Sequence, residues 1–310
     1  MFNIHDLLLA DKPVVHQIKP RNNPEKELIQ KKLRSFERAV IVEVFMDPLS
    51  SSFWGASPVL RRLELEFGAL VEIKYRTSGM LISWEDFELD GVSKPEHMAA
   101  YWQREAFEYK MPMDTQLWLE NPPHSSFPAS IAYKAAQLQN KLLADKFLRR
   151  MQEMLFVEGR NIAEWKIIKR AAKDVGLDLE VLLLQYNNGD GLKAFAEDQK
   201  RARQECVTQY PTIHLHTEGG DVRIVEPGFN WENLSSAVRG ILPRENINKL
   251  ERLIDIPSCF NFFDSLTFTE IQELTAIGGK ELLKELEDLE SDGTLVSFGC
   301  DTGRVWRTLD

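Results

Sequence analysis

The sequence predicts an α/β protein built as two units, and three patterns carry that prediction. A strand-like run, a helix and a second strand-like run follow one another with tight joints over residues 39–75. A long helical block then separates this βαβ unit from a further strand pair and helix at residues 212–242. Beyond Pro243 the composition changes, and a helix, a helix and a short hairpin close the chain.

The first run, Ala39–Phe45, is dominated by β-branched and aromatic residues, as a strand covered on both faces requires. Met46–Ser52 reads as a polar turn. Phe53–Phe67 places Val59, Leu60, Leu63 and Phe67 at helical spacing and stops at Gly68. Leu70–Tyr75 alternates as a second strand, parallel to the first because a helix joins them. Between Lys94 and Lys200 the clearest helices are Ala129–Gln139, Leu142–Glu153, Ala163–Val175 and Leu179–Tyr186, with Ser126 expected as the N-cap of the first. Strand character returns at Thr212–His216; a Gly219-Gly220 pair predicts a two-residue turn into Val222–Val225, and Trp231–Leu242 follows as an amphipathic helix. In the last unit, residues 243–310, Thr267–Leu274 and Lys280–Glu290 flank Gly278-Gly279, and Thr294–Phe298 with Arg304–Thr308 form a hairpin: the outline of a winged helix. Residues 1–38 read as an N-terminal extension, with a charged helix from Pro24 to Arg38 capped by Asn23.

Composition narrows the function classes. The chain has 310 residues, 43% hydrophobic and 28% charged, an ordinary globular mixture. A net charge of −10 opposes nucleic acid as the main ligand. Five of the residues between Lys280 and Glu290 are acidic and two basic, so the helix in the recognition position of the winged-helix outline is unsuited to phosphate. No apolar run reaches the roughly 18 residues of a membrane span. The N-terminus lacks a basic leader segment, which makes the cytoplasm the expected compartment and a membrane an unexpected partner. Cys206, Cys259 and Cys300 are widely spaced, form no CxxC and suit free thiols in a reducing compartment.

Two local motifs sharpen the fold. Asp47-Pro48-Leu49-Ser50-Ser51-Ser52-Phe53-Trp54 follows the first strand, and Tyr210-Pro211-Thr212 precedes the third. Together with the order of elements they resemble the DsbA-like branch of the thioredoxin fold, with its D-P-x-C-x-x-C-W loop, its X-Pro-Thr segment and its large helical insertion, here about residues 94–200. Asp47, Pro48 and Trp54 match that loop, whereas Ser50 and Phe53 stand at the two cysteine positions. Ser126–Ala136 and Met151–Phe156 also resemble the insertion of that family. The likeness covers about residues 39–242, and within the family it is greatest to the cytosolic adaptors that deliver the redox regulator Spx to the ClpXP protease. Those adaptors also carry an appendage after the DsbA-like domain.

The resemblance implies a redox-inactive, protein-binding module without a cofactor. A serine oxygen cannot form a mixed disulfide, and Phe53 cannot resolve one. The family's X-Pro bond is cis and faces the loop, so Pro211 is expected cis, with the backbone of Tyr210–Thr212 free to pair with an extended partner. On this reading the loop Asp47–Trp54 and the segment Tyr210, Pro211, Thr212 form the contact surface for a protein partner. Two alternatives stay open. Asp47, Ser50 and Trp54 also resemble the D-x-x-S-x-x-x-W pattern of kappa-class glutathione transferases and hydroxychromene-carboxylate isomerases, which would make Ser50 catalytic and glutathione the cofactor, although Ser51 replaces the family's proline. A residual disulfide isomerase-like activity through Cys206 is the other. Ser50–Ser52 also serve more simply as N-cap residues. His214 and His216 share a strand face, but neither Cys206 nor Asp221 is placed to complete a metal site, so no metal is expected.

Overall fold

The computed structural model of the chain describes residues 40–242 and 254–309, apart from positions 69, 86, 218, 219, 221 and 226. The expected N-terminal extension and its helix at residues 24–38 lie outside the described residues, as does the composition shift at position 243.

Strand β1 (Val40–Met46) leads through helices α1 (Ser51–Gly55) and α2 (Ser57–Phe67) to β2 (Val71–Thr77). The helical block comprises α3 (Pro95–Tyr109), α4 (Leu117–Glu120), α5 (Phe127–Gln139), α6 (Lys141–Phe156), α7 (Trp165–Asp174), α8 (Leu179–Asn187) and α9 (Asp190–Gln204). Strands β3 (Thr212–Thr217) and β4 (Val222–Val225) and helix α10 (Trp231–Arg239) complete the unit. The sheet order is β2-β1-β3-β4, with β1 parallel to β2 and the other neighbours antiparallel. This is the thioredoxin sheet, and the helical block is its DsbA-like insertion. Burial of β1 on both faces explains why all but Glu43 of its residues are apolar.

Two local expectations are corrected, and a third is untested. The helix expected over Phe53–Phe67 is two helices, because Pro58 enters the first turn of α2 and has no N–H to continue the α1 ladder. Ser126 makes no side-chain cap on α5: its buried hydroxyl exchanges hydrogen bonds with the Leu81 backbone, and Ser125 Oγ accepts from Phe127 N–H at 3.2 Å instead. The Gly219-Gly220 turn expected before β4 involves positions 218, 219 and 221, which lie outside the described residues.

The last unit runs α11 (Ile256–Phe262), β5 (Leu266–Thr267), α12 (Phe268–Thr275), α13 (Gly279–Ser291), β6 (Leu295–Cys300) and β7 (Gly303–Thr308). Its sheet order is β5-β7-β6, all antiparallel. Helix, strand, helix, helix and hairpin is the winged-helix arrangement. Sequence reading missed α11, a short helix, and β5, two residues long. Thr267 starts α12 with a capping box in which its hydroxyl accepts from Glu270 N–H and the Glu270 carboxylate accepts from Thr267 N–H.

This unit is welded to the first. Leu65 of α2 lies in its core, and Val305 of β7 lies in the core of the larger unit. Glu270 is fully buried and takes both terminal nitrogens of Arg149 from α6, at 2.6 and 2.9 Å. Arg149 also donates to Glu153 at 2.8 Å, and its guanidinium lies 4.6 Å from the centre of the Trp54 ring. Burial pushes the Glu270 carboxyl up, but the charges of Arg149 and Arg61 outweigh that and hold it below its ordinary value.

Candidate functional site

The loop between β1 and α1 begins at Asp47, whose carboxylate is fully buried and accepts from Leu49 N–H at 2.9 Å and Met80 N–H at 2.7 Å. Burial outweighs these donors and raises the Asp47 carboxyl. The residue organises the loop from below, holding it to the chain that follows β2. Pro48 and Leu49 are buried as well.

Ser50 is the N-cap of α1: its Oγ accepts from Phe53 N–H at 3.1 Å. The hydroxyls of Ser50 and Ser52 lie 2.9 Å apart, and Ser52 donates to Tyr210 C=O at 2.7 Å. A hydroxyl has one hydrogen, so Ser50 is the donor to Ser52, and a chain of hydrogen bonds runs from Ser50 through Ser52 to Tyr210. Ser51 donates to Glu105 of α3 at 3.3 Å, and burial raises that carboxyl. Phe53 meets Tyr75 edge-on, its ring centre 5.7 Å away. Trp54 donates its indole N–H to Pro112 C=O at 2.9 Å and stacks on Phe156. Phe53 and Trp54 are core side chains, as are Trp102 and Trp118, which pack edge to face beside them. Gly55 lets α3 close over α1: a Cβ there would stand 2.3 Å from the Tyr109 ring.

The Tyr210–Pro211 peptide is cis. Through Ser52 this segment touches the loop, so the structure brings the two sequence motifs together. Pro211 and Thr212 are buried, the Thr212 hydroxyl donates to Gln209 C=O at 2.8 Å, and Tyr210 is half-buried. Two expectations change. The Tyr210 carbonyl already accepts from Ser52, so a partner strand would share it through its second lone pair. The loop is largely interior: Ser50 is 2% exposed and Ser51 5%, leaving Ser52 and Tyr210 as the half-buried members that reach solvent. The Ser50 hydroxyl is committed both as donor and as acceptor, so a thiolate would have to displace Ser52 to reach it.

None of the three cysteines lies in the loop or in the Tyr210–Thr212 segment. Cys206 is exposed, Cys259 buried and Cys300 between, with burial pushing the Cys259 thiol up to about 12.

A second cluster lies on the neighbouring sheet face. The β1–β3 register sets Glu43 directly opposite His214, and His216 lies two residues further on. One ligating atom from each of the three lies within 4.8 Å of the others. Sequence reading named both histidines but sought the third donor nearby in sequence. The signal that finds Glu43 is a single charged residue in an otherwise apolar strand, once β1 is paired with β3. Burial raises the Glu43 carboxyl, but Arg76 and Arg201 outweigh it and hold the group low, while burial lowers the His214 imidazole.

Comparison with known proteins agrees with this architecture. ClpXP adapter protein SpxH of Halalkalibacterium halodurans is 29% identical over 289 residues, covering 91% of this chain and 91% of that protein. The Bacillus subtilis protein of the same name is 27% identical over 272 residues, 86% of this chain and 89% of its own. Among solved structures, the cytosolic disulfide reductase DsbM from Pseudomonas aeruginosa superposes with a TM-score of 0.51 at 21% identity, over 64% of this chain and 98% of that one, a likeness of fold. A family model described as thioredoxin matches residues 44–225. The chain belongs to that thioredoxin family.

Proposed function

We propose that this protein is a cytoplasmic, redox-inactive adaptor that presents a protein partner to the ClpXP protease, with the regulator Spx as the expected cargo. The observation that carries the reading is the likeness to proteins named ClpXP adapters along nine tenths of both chains, which takes in the winged-helix unit as well as the thioredoxin unit. The loop chemistry supports it. Ser50 and Phe53 leave no cysteine in the loop that meets the cis-proline segment, and the three cysteines are free thiols. Among the described residues no helix is long and apolar enough to cross a membrane.

In this role the buried loop is a scaffold that sets the shape of the surface above it. Ser52, Met80 and Tyr210 are the half-buried residues through which that surface meets a partner. The test is reconstituted degradation of Spx by ClpXP with and without the protein. Acceleration that falls with Tyr210→Asp supports the proposal; an unchanged degradation rate with the wild-type protein, or unaided reduction of insulin disulfides, overturns it.

A further inference from the structure

We infer that Glu43, His214 and His216 form a binding site for a zinc-class divalent cation, with Glu205 at its edge. Two imidazoles and a carboxylate are the donor set such an ion prefers. Their ligating atoms lie within 4.8 Å of one another, and Glu43 Oε2 already stands 3.0 Å from His216 Nε2. Donors around a tetrahedral zinc are about 3.3 Å apart, given bond lengths near 2.0 Å, so small side-chain rotations gather the set.

A second observation points the same way. His214 is 1% exposed, and its Nδ1 is a buried polar atom with no hydrogen-bond partner. Glu205 Oε2 lies 3.3 Å from that nitrogen without forming a hydrogen bond to it. An orphaned imidazole nitrogen near a carboxylate, beside a second imidazole and a second carboxylate, offers a cation a donor that no protein group has claimed.

The outer partners that a metal site needs are also present. Arg76 donates to Glu43 Oε1 at 2.9 Å, which leaves Oε2 to ligate while the carboxylate stays oriented. Arg201 is the competitor, since it reaches Glu43 Oε2 at 3.2 Å. It has an alternative anchor in Glu205 Oε1 at 2.6 Å and is partly exposed, so it can yield to an ion. His216 is also partly exposed and marks the entry side. Glu205 and His214 bracket residues 206–211, so an ion held here would tie both ends of the cis-proline segment to β1.

The test is calorimetric titration of Zn²⁺ into the chelator-stripped full chain, with Co²⁺ absorption reporting the geometry. One equivalent of Zn²⁺ is expected, together with the visible absorption of tetrahedral Co²⁺. His216→Ala should weaken zinc binding at least about tenfold. Arg201→Ala, a partly exposed position that tolerates truncation, should tighten it severalfold by removing the competitor. Circular dichroism of the stripped variants confirms that each is folded. Absence of zinc binding at micromolar concentration, or zinc affinity unmoved by both variants, which would place any bound ion elsewhere on the chain, overturns the proposal.

Discussion

The Arg149–Glu270 pair should decide whether the two units behave as one. Glu270→Gln is the informative perturbation, because glutamine preserves the shape and still serves the capping box at the start of α12. What it removes is the charge opposite Arg149, a bidentate partner at 2.6 and 2.9 Å in a buried setting. Breaking a buried pair in this way costs about 3–5 kcal/mol, because the remaining charge is left uncompensated. Glu153 still reaches Arg149 at 2.8 Å, so the lower end, about 3 kcal/mol, is expected. Urea unfolding followed by tryptophan fluorescence reads the loss directly, since Trp54 lies under the Arg149 guanidinium. The acid limb gives an independent check. The native Glu270 carboxyl is held below its ordinary value of 4.5, so its contribution is complete above that pH and disappears as pH falls through the native value. The gap between wild type and variant should therefore be flat from neutrality to about pH 4.5 and narrow below it. A loss under about 1 kcal/mol, the range of a solvent-exposed pair, would refute the account of the junction.

Three further outcomes can be checked. Asp145 is half-buried beside Tyr133, and burial raises its carboxyl to about 6 although the Tyr133 hydrogen bond opposes the rise. Ionising it above that pH costs stability, so Asp145→Asn should stabilise the protein at pH 8 by up to about 3 kcal/mol, with the gain vanishing toward pH 3.8; no gain at pH 8 would contradict the burial argument. Gly55→Ala drives a methyl group into the Tyr109 ring and should cost about 1–3 kcal/mol of stability, read as a lower urea midpoint, whereas an unchanged midpoint would mean that α3 is not tightly seated on α1. Ser50→Ala should cost about 1 kcal/mol through loss of the cap, with no glutathione heat in calorimetry for either protein. Sub-millimolar glutathione binding abolished by that substitution would instead make Ser50 a catalytic residue.

Much of the fold was readable because it is written in local patterns. The apolar run of β1, the proline before Thr212, and the helical spacing of Ala129–Gln139 each report their own backbone. The capping box at Thr267 and Glu270 was present in the sequence but went unread, and α11 with the two-residue β5 gave too short a pattern to register. The candidate site was legible only in part. The resemblance to the DsbA-like family implied that Ser50 and Tyr210 belong to facing segments, but not that Ser52 would donate to the Tyr210 carbonyl or that Tyr109 of α3 would close on Gly55. Those facts depend on contacts between residues far apart in the chain. Glu43 illustrates the same limit: its meaning appears only once the antiparallel register sets it opposite His214.

The depth of the β1–α1 loop bears on any attempt to convert the protein into an oxidoreductase. Installing Ser50→Cys with Phe53→Cys would reinstate the family's sulfur atoms but not their reach. A cysteine at position 50 would inherit a place that is 2% exposed, too deep for ready attack on a bulky disulfide. Removing the Phe53 ring would also empty the space beside Tyr75 and weaken the floor on which that cysteine must sit. Enzymatic turnover would require bringing that position to the surface as well as restoring the pair of thiols.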